Sequence, residues 1–160
     1  MTISSEQFKE SMRCWASGVA IVTSIYDDVI HGMTVNSFHS ISIFPPIIGV
    51  TLANDTRTKQ MIDNTNVFGV TILSDEQQEI SDRFAGRIID SGNRFEGLQI
   101  FVLSSGVPFV KNGLAFFDCI VKYRYELAFS TLFMAEVIAT ENQPGKPLLY
   151  LNREYRYLRD

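Results

Sequence analysis

Cysteine is scarce in this chain: there are two in 160 residues, Cys14 and Cys119. Their spacing matches neither a zinc site nor a redox pair. Both have apolar neighbours in sequence, which predicts buried, free thiols. Histidine is equally sparse. His31 and His39 stand without a Cys or Asp cluster, so no metal site is expected and both read as packing or polar support. There is no basic excess either, and the formal net charge is −4. That excludes a basic stripe for duplex nucleic acid. It leaves room for a small anionic ligand, which a few oriented amides can hold. Long apolar runs are missing, so no segment is expected to span a bilayer. The opening MTISSEQFKES is polar, which predicts no signal peptide and a cytoplasmic protein. G-x-G-x-x-G and G-x-S-x-G are both absent, so neither a Rossmann dinucleotide site nor a nucleophile elbow is expected.

What remains is an ordinary globular composition, 46% apolar and 20% charged. It predicts one domain over residues 1–160 with enough length to bury a core. Twelve Phe and six Tyr provide large rigid surfaces for that core or for an interface.

Periodicity supplies the elements. Phe8, Met12 and Trp15 recur every three to four residues and predict a helix over Ser5–Ala16, ended by Gly18. VAIVTSIY, Val19–Tyr26, reads as a strand, Asp27-Asp28 as a turn, and Ile30–Ile41 as a strand irregular in its middle. PPIIGVTLA leads into another strand, and Asn54–Thr56 can cap a short helix over Arg57–Asn64. VFGVTIL is a further strand. Ser74 with Gln77 three residues on fits a capping box that opens a helix through EQQEISDRF. Ile88–Gly97 is turn-rich; Ile100–Leu103 and Pro108–Val110 read as short strands. Ala115–Tyr125 alternates, with Phe117, Cys119 and Val121 on one face and Asp118, Lys122 and Arg124 on the other. That pattern places Asp118 at a sheet edge or interface. Thr131–Ala139 repeats the alternation, and Leu148–Leu151 and Tyr155–Tyr157 close the chain. Closely spaced late strands argue against repeated βαβ units and for a barrel with inserted helices.

Two polar runs interrupt this scaffold. GMTVNSFHS crowds Thr34, Asn36, Ser37 and Ser40 together. Such groups suit the edge of a planar heterocycle with carbonyls and ring nitrogens, and they equally suit a solvated sheet face. LANDTRTK places Asn54, Thr56 and Thr58 at a predicted helix N-terminus. Free N–H groups there can receive a phosphate, although Asn and Thr are also ordinary cap residues. Arg87 in RFAGR is either a third anion contact or an exposed arginine at a helix end.

The ordered set WASGVAIVTS, HGMTVNSFHSIS, PPIIGVTLA with NDTRTKQMI, FGVTIL, DRFAGR, FFDCIV, TLFMAEV and PLLYLNREYRYL resembles the short flavin reductase-like family. The likeness runs from about Phe8 to Leu158. It implies a mainly β fold, the FMN-binding split β-barrel with short peripheral helices, usually assembled as a homodimer. It implies hydride transfer from NADH or NADPH to FMN or FAD, with reduced flavin passed to a separate flavin-dependent monooxygenase. By position, Thr34, Asn36, Ser37 and Ser40 would line the flavin and its ribityl chain. Asn54, Thr56 and Thr58 match the second flavin-contacting loop, and Arg87 matches a basic position near the flavin phosphate.

One position departs from the family pattern. Many relatives carry a histidine on the nicotinamide side, immediately before Thr-Leu-Phe; this chain reads ELAFSTLF, with Ser130 there. A serine can bond a carboxamide but carries no imidazolium charge. That departure keeps a flavin-binding electron-transfer protein as an alternative, and a non-enzymatic flavin carrier or structural split-barrel dimer as another. No catalytic acid or nucleophile is expected, because the cofactors carry the redox chemistry and the protein orients them.

Overall fold

Three residues close the barrel. A computed structural model describes residues 2–88 and 92–159 of the chain. Its first elements are α1 (Ser5–Met12), β1 (Ser17–Gly18), β2 (Ala20–Tyr26), β3 (Val29–Val35), β4 (His39–Ser42) and β5 (Ile47–Ala53). There follow α2 (Arg57–Thr65), β6 (Val67–Ile72), α3 (Gln78–Phe84), β7 (Ile100–Val102) and β8 (Pro108–Val110). The long pair β9 (Ala115–Glu126) and β10 (Ser130–Asn142) precedes the hairpin β11 (Leu149–Leu151) and β12 (Glu154–Arg156). Seven strands form one antiparallel sheet in the order β3-β2-β6-β9-β10-β5-β4. Laid flat, such a sheet would hold its edges about 29 Å apart. Its edges β3 and β4 are joined only by Asn36, Ser37 and Phe38, which reach about 14 Å. The sheet must therefore curl, and β3 and β4 meet without a ladder between them. The strand expected over Ile30–Ile41 is thus two strands with the barrel corner in between.

Inside the barrel, Val22, Val50, Phe68, Val70 and Phe133 are fully buried. β2 is buried on both faces through Ser24, which explains why apolar residues are consecutive from Ala20 to Val22; the buried Thr23 and Ser24 hydroxyls donate to Pro108 O and Val67 O. Its outer face joins a second cluster with Leu73, Phe84, Phe95 and Leu148. Here α3 lies on β3. A Cβ at Gly32 would stand 2.9 Å from the Phe84 ring, so only glycine admits that helix so closely. The Ser74–Gln77 capping box forms as expected and launches α3, and Gly86, at φ 71°, lets the chain leave it.

Several expectations are corrected. Helix α1 stops at Met12 because Cys14 N–H and Trp15 N–H turn back to Ser11 and Met12 carbonyls, ending the helix well before Gly18. Its cap is Ser4, bonded reciprocally with Gln7. The α1 stripe faces outward, with Phe8, Met12 and Trp15 all exposed. Cys14 is exposed as well, at the frayed end of the helix, and only Cys119 is buried. Burial, followed by the charge of Asp118, pushes the Cys119 thiol up out of reach of titration. Asp118 is fully buried rather than at an edge. The β7–β8 hairpin folds over that face of β9, and Asp118 accepts hydrogen bonds from Ser105 N–H at 2.8 Å and Ser105 Oγ at 2.5 Å. Of the turn-rich Ile88–Gly97 segment, residues 89–91 with Ser91 lie outside the described residues; Glu96 N–H to Asn93 O and Leu98 N–H to Phe95 O are turns.

Candidate functional site

Each polar run is tied to the strand residue that precedes the other run. Ser37 Oγ donates to Thr51 O at 2.8 Å and accepts from Thr51 N–H at 3.2 Å. Lower on β3, His31 Nδ1 and Thr58 Oγ1 are hydrogen-bonded at 2.9 Å, fixing the start of α2 against the sheet. Thr34 Oγ1 donates to Ser81 O at 2.7 Å and fixes α3.

Three hollows open around the corner that these bonds hold, and all three include Asn36. The first, about 160 Å³, is walled by Thr34, Asn36, Ser81, Arg87, Tyr150 and Tyr155. The second, about 190 Å³, lies between the end of α1 and the β11–β12 turn and includes Arg13, Trp15, Tyr150 and Arg153. The third, about 640 Å³, is walled by Trp15, Ser17, Ser37, Phe38 and His39. Asn36 is exposed and its amide has no partner among the described residues. Two buried polar atoms on these walls also lack one: Ser17 Oγ and Arg13 Nε. A buried polar atom without a bond costs free energy unless something else supplies it.

Arg87 organises one wall. Its guanidinium pairs with Asp82 at 3.0 Å, donates to Tyr150 OH at 3.2 Å, and stacks over both Tyr150 and Tyr155. The hydrogen bond to Tyr150 is the largest influence raising its pKa, so the group stays charged. Tyr155 OH donates to Asp82 at 2.8 Å and lies 2.8 Å from Ser81 Oγ.

Of the expected site residues, the fold brings Thr34, Asn36, Ser37 and Arg87 to these hollows. Ser40 is exposed on β4 and lines none of the three. Asn54 is engaged elsewhere: Nδ2 donates to Leu127 O at 3.0 Å and Oδ1 accepts from Thr131 Oγ1 at 2.8 Å. It thereby clamps the β9–β10 turn. Thr56 stands at the cap of α2 with its hydroxyl turned back to Ala53 O at 2.8 Å. Thr58 is buried behind His31. Ser130 opens β10 opposite Ala53, away from the three hollows. Sequence reasoning missed Arg13, Trp15, Ser17, Tyr150, Tyr155 and Arg153. The available signal was LYL-NR-EYR, a two-residue hairpin whose paired tyrosines must face the same side.

Residues 12–159 match the flavin reductase-like domain. The chain belongs to that family. It is 31% identical over 157 residues to the NADH-dependent flavin reductase StyB of Pseudomonas fluorescens, covering 96% of this chain and 89% of that protein. The structure of the flavin reductase PheA2 superposes with a TM-score of 0.91 at 28% identity, covering 99% of this chain and 100% of that one. The styrene monooxygenase flavin reductase from Pseudomonas putida S12 gives a TM-score of 0.85 at 29% identity, covering 95% and 97%. The mainly β split barrel with short peripheral helices is therefore the fold of this chain. No helix among the described residues is long and apolar enough to cross a membrane.

Proposed function

We propose that the groove converging on Asn36 is where this chain binds flavin and presents it to a nicotinamide nucleotide. The chain is an NAD(P)H-dependent flavin reductase that acts on FMN or FAD and supplies reduced flavin to a separate monooxygenase. What carries the placement is the coincidence at one corner of an unengaged amide, a buried hydroxyl without a partner and aromatic walls. A flavin needs a flat apolar bed and mixed donors and acceptors at its ring edge. Trp15 and Phe38 suit the bed; Asn36 and Ser17 Oγ suit the edge.

Flavin, when bound, supplies the redox chemistry by accepting a hydride from the nicotinamide. The chain's part is to orient and shield. Ser37, bonded twice to Thr51, holds the corner that aims Asn36. Arg87, fixed by Asp82 and stacked on Tyr150 and Tyr155, keeps the far wall rigid. Rigid placement of two ring systems lowers the entropic part of the barrier without any protein acid or nucleophile. Stopped-flow mixing of NADH and NADPH with FMN- and FAD-loaded protein tests the activity, with loss of flavin absorbance expected for at least one pair. No bleaching in any of the four combinations would overturn it.

The active form is a homodimer. Ile43, Phe44 and Phe129 are 91%, 95% and 88% exposed, at the two ends of β5, and such bare aromatic and aliphatic surface suits burial against a second copy. Sedimentation equilibrium is expected to give twice the chain mass, and Phe44→Ser to shift it toward the monomer. A wild-type monomer at micromolar concentration would defeat this assignment.

A further inference from the structure

We propose that the hollow between the end of α1 and the β11–β12 turn is a phosphate subsite, taking the phosphates of a nucleotide whose ring lies in the adjoining groove. This rests on the reading of that groove as the flavin and nicotinamide site. Three cations, Lys9, Arg13 and Arg153, line the hollow beside Asn36 and Asn152. Two acids offset them in part: Glu10 pairs with Arg13 at 2.5 Å, and Glu6 lies 3.8 Å from Lys9 and 3.9 Å from Arg13. Arg153 has no hydrogen bond or ion pair among the described residues, and its neighbour Glu154 is taken by Arg156 at 2.6 Å. Arg13 presents a buried Nε with no partner. The hollow, about 190 Å³, is of the size that elsewhere holds a single benzene ring, so it suits phosphate groups and not a whole dinucleotide.

The backbone adds an independent argument. Asn152 and Arg153 have φ of 53° and 63°, the left-handed pair that a two-residue hairpin turn requires. Asparagine adopts this conformation readily and glycine does so freely, whereas arginine is strained there. A bulky cation kept against its backbone preference, unpaired, at the rim of a cavity is accounted for by a task of its side chain. A guanidinium is the group that meets phosphate oxygens with two parallel donors.

The chain's single tryptophan, Trp15, lines both this hollow and the larger one, so its fluorescence reports their occupancy. Purified full-length wild-type, Arg153→Gly and Lys9→Gln proteins are titrated with ADP-ribose, riboflavin, FMN, FAD, NADH and NADPH. Arg153→Gly is expected to weaken a phosphate-bearing ligand about tenfold. Riboflavin affinity should move less than twofold, and the melting temperature should stay level or rise as the strained turn relaxes. Weakening of FMN with ADP-ribose unaffected assigns the site to the flavin phosphate. Weakening of ADP-ribose with FMN unaffected assigns it to a dinucleotide, and a loss confined to NADPH assigns it to the 2′-phosphate. Each of these supports the subsite. If both variants bind every phosphate-bearing ligand as wild type does, while riboflavin still binds, the subsite is wrong and the groove stands. If riboflavin, FMN and FAD all leave wild-type Trp15 fluorescence and flavin emission unchanged, the groove reading itself falls.

Discussion

Ser37 and Thr51 exchange two hydrogen bonds, one in each direction, through a single hydroxyl. The pairing of β4 with β5 ends at Gly49, so the free edge of Thr51 has no strand to bond. The Ser37 hydroxyl takes the place of that missing strand and fastens the corner between the sheet's two edges. Replacing it with alanine leaves a half-buried N–H and C=O unsatisfied. Ser37→Ala is expected to lower stability by about 1–3 kcal/mol. Urea unfolding at constant m-value measures this, and a midpoint equal to wild type would contradict the fastening role.

Asn36 sits on the same corner but does no work for the fold. It is exposed and without a partner among the described residues. Asn36→Ala should therefore change stability by less than about 0.5 kcal/mol. Flavin affinity, followed by quenching of flavin fluorescence, should weaken about tenfold, since the groove loses an unengaged amide that both donates and accepts. An unchanged dissociation constant would remove Asn36 from the site.

Thr58 should behave in the opposite way. It is wholly buried and bonded to His31. Thr58→Val keeps its shape and deletes the hydroxyl, which is expected to cost about 1–2 kcal/mol of stability. Flavin affinity of the folded variant should stay within twofold of wild type. A large loss of affinity at full folding would restore Thr58 to the role of a direct ligand.

Tyr155 links the groove wall to pH. Burial is the first cause raising its pKa above the ordinary 10.0; the Ser81 bond opposes this and the bond and charge of Asp82 add to it. The folded state thus favours the neutral phenol. Its contribution to stability is complete below the unfolded value near 10 and is lost as pH rises through the higher folded value. Wild-type stability should therefore fall more steeply than that of Tyr155→Phe as the pH is raised above 10. Parallel curves for the two proteins, measured by denaturant melts, would show that Tyr155 carries no such linkage.

Local pattern carried much of the architecture. The alternation in Ala115–Tyr125, the capping box at Ser74 and Gln77, and the β-branched run of β2 each follow from side-chain geometry within a few residues. The polar crowding at Thr34, Asn36 and Ser37 falls at the corner between β3 and β4. Periodicity put Phe8, Met12 and Trp15 on one face of a helix but left open that this face is exposed, because a helical stripe says which residues face one way and not what lies opposite. Likewise, the polar side chains of Ser37, Thr58 and Asn54 look alike in sequence. Which of them is free to meet a ligand depends on partners 14, 27 and 77 positions away. The sequence by itself determined most of the strands and the helix starts, since these depend on neighbours along the chain; it did not divide Ile30–Ile41 at the barrel corner. Only the tertiary structure decided that Asn36 is unengaged, that Asp118 is buried and that Arg87 is held between two tyrosines. Each of those states is set by contacts closed when a seven-stranded sheet curls until its first and last strands meet.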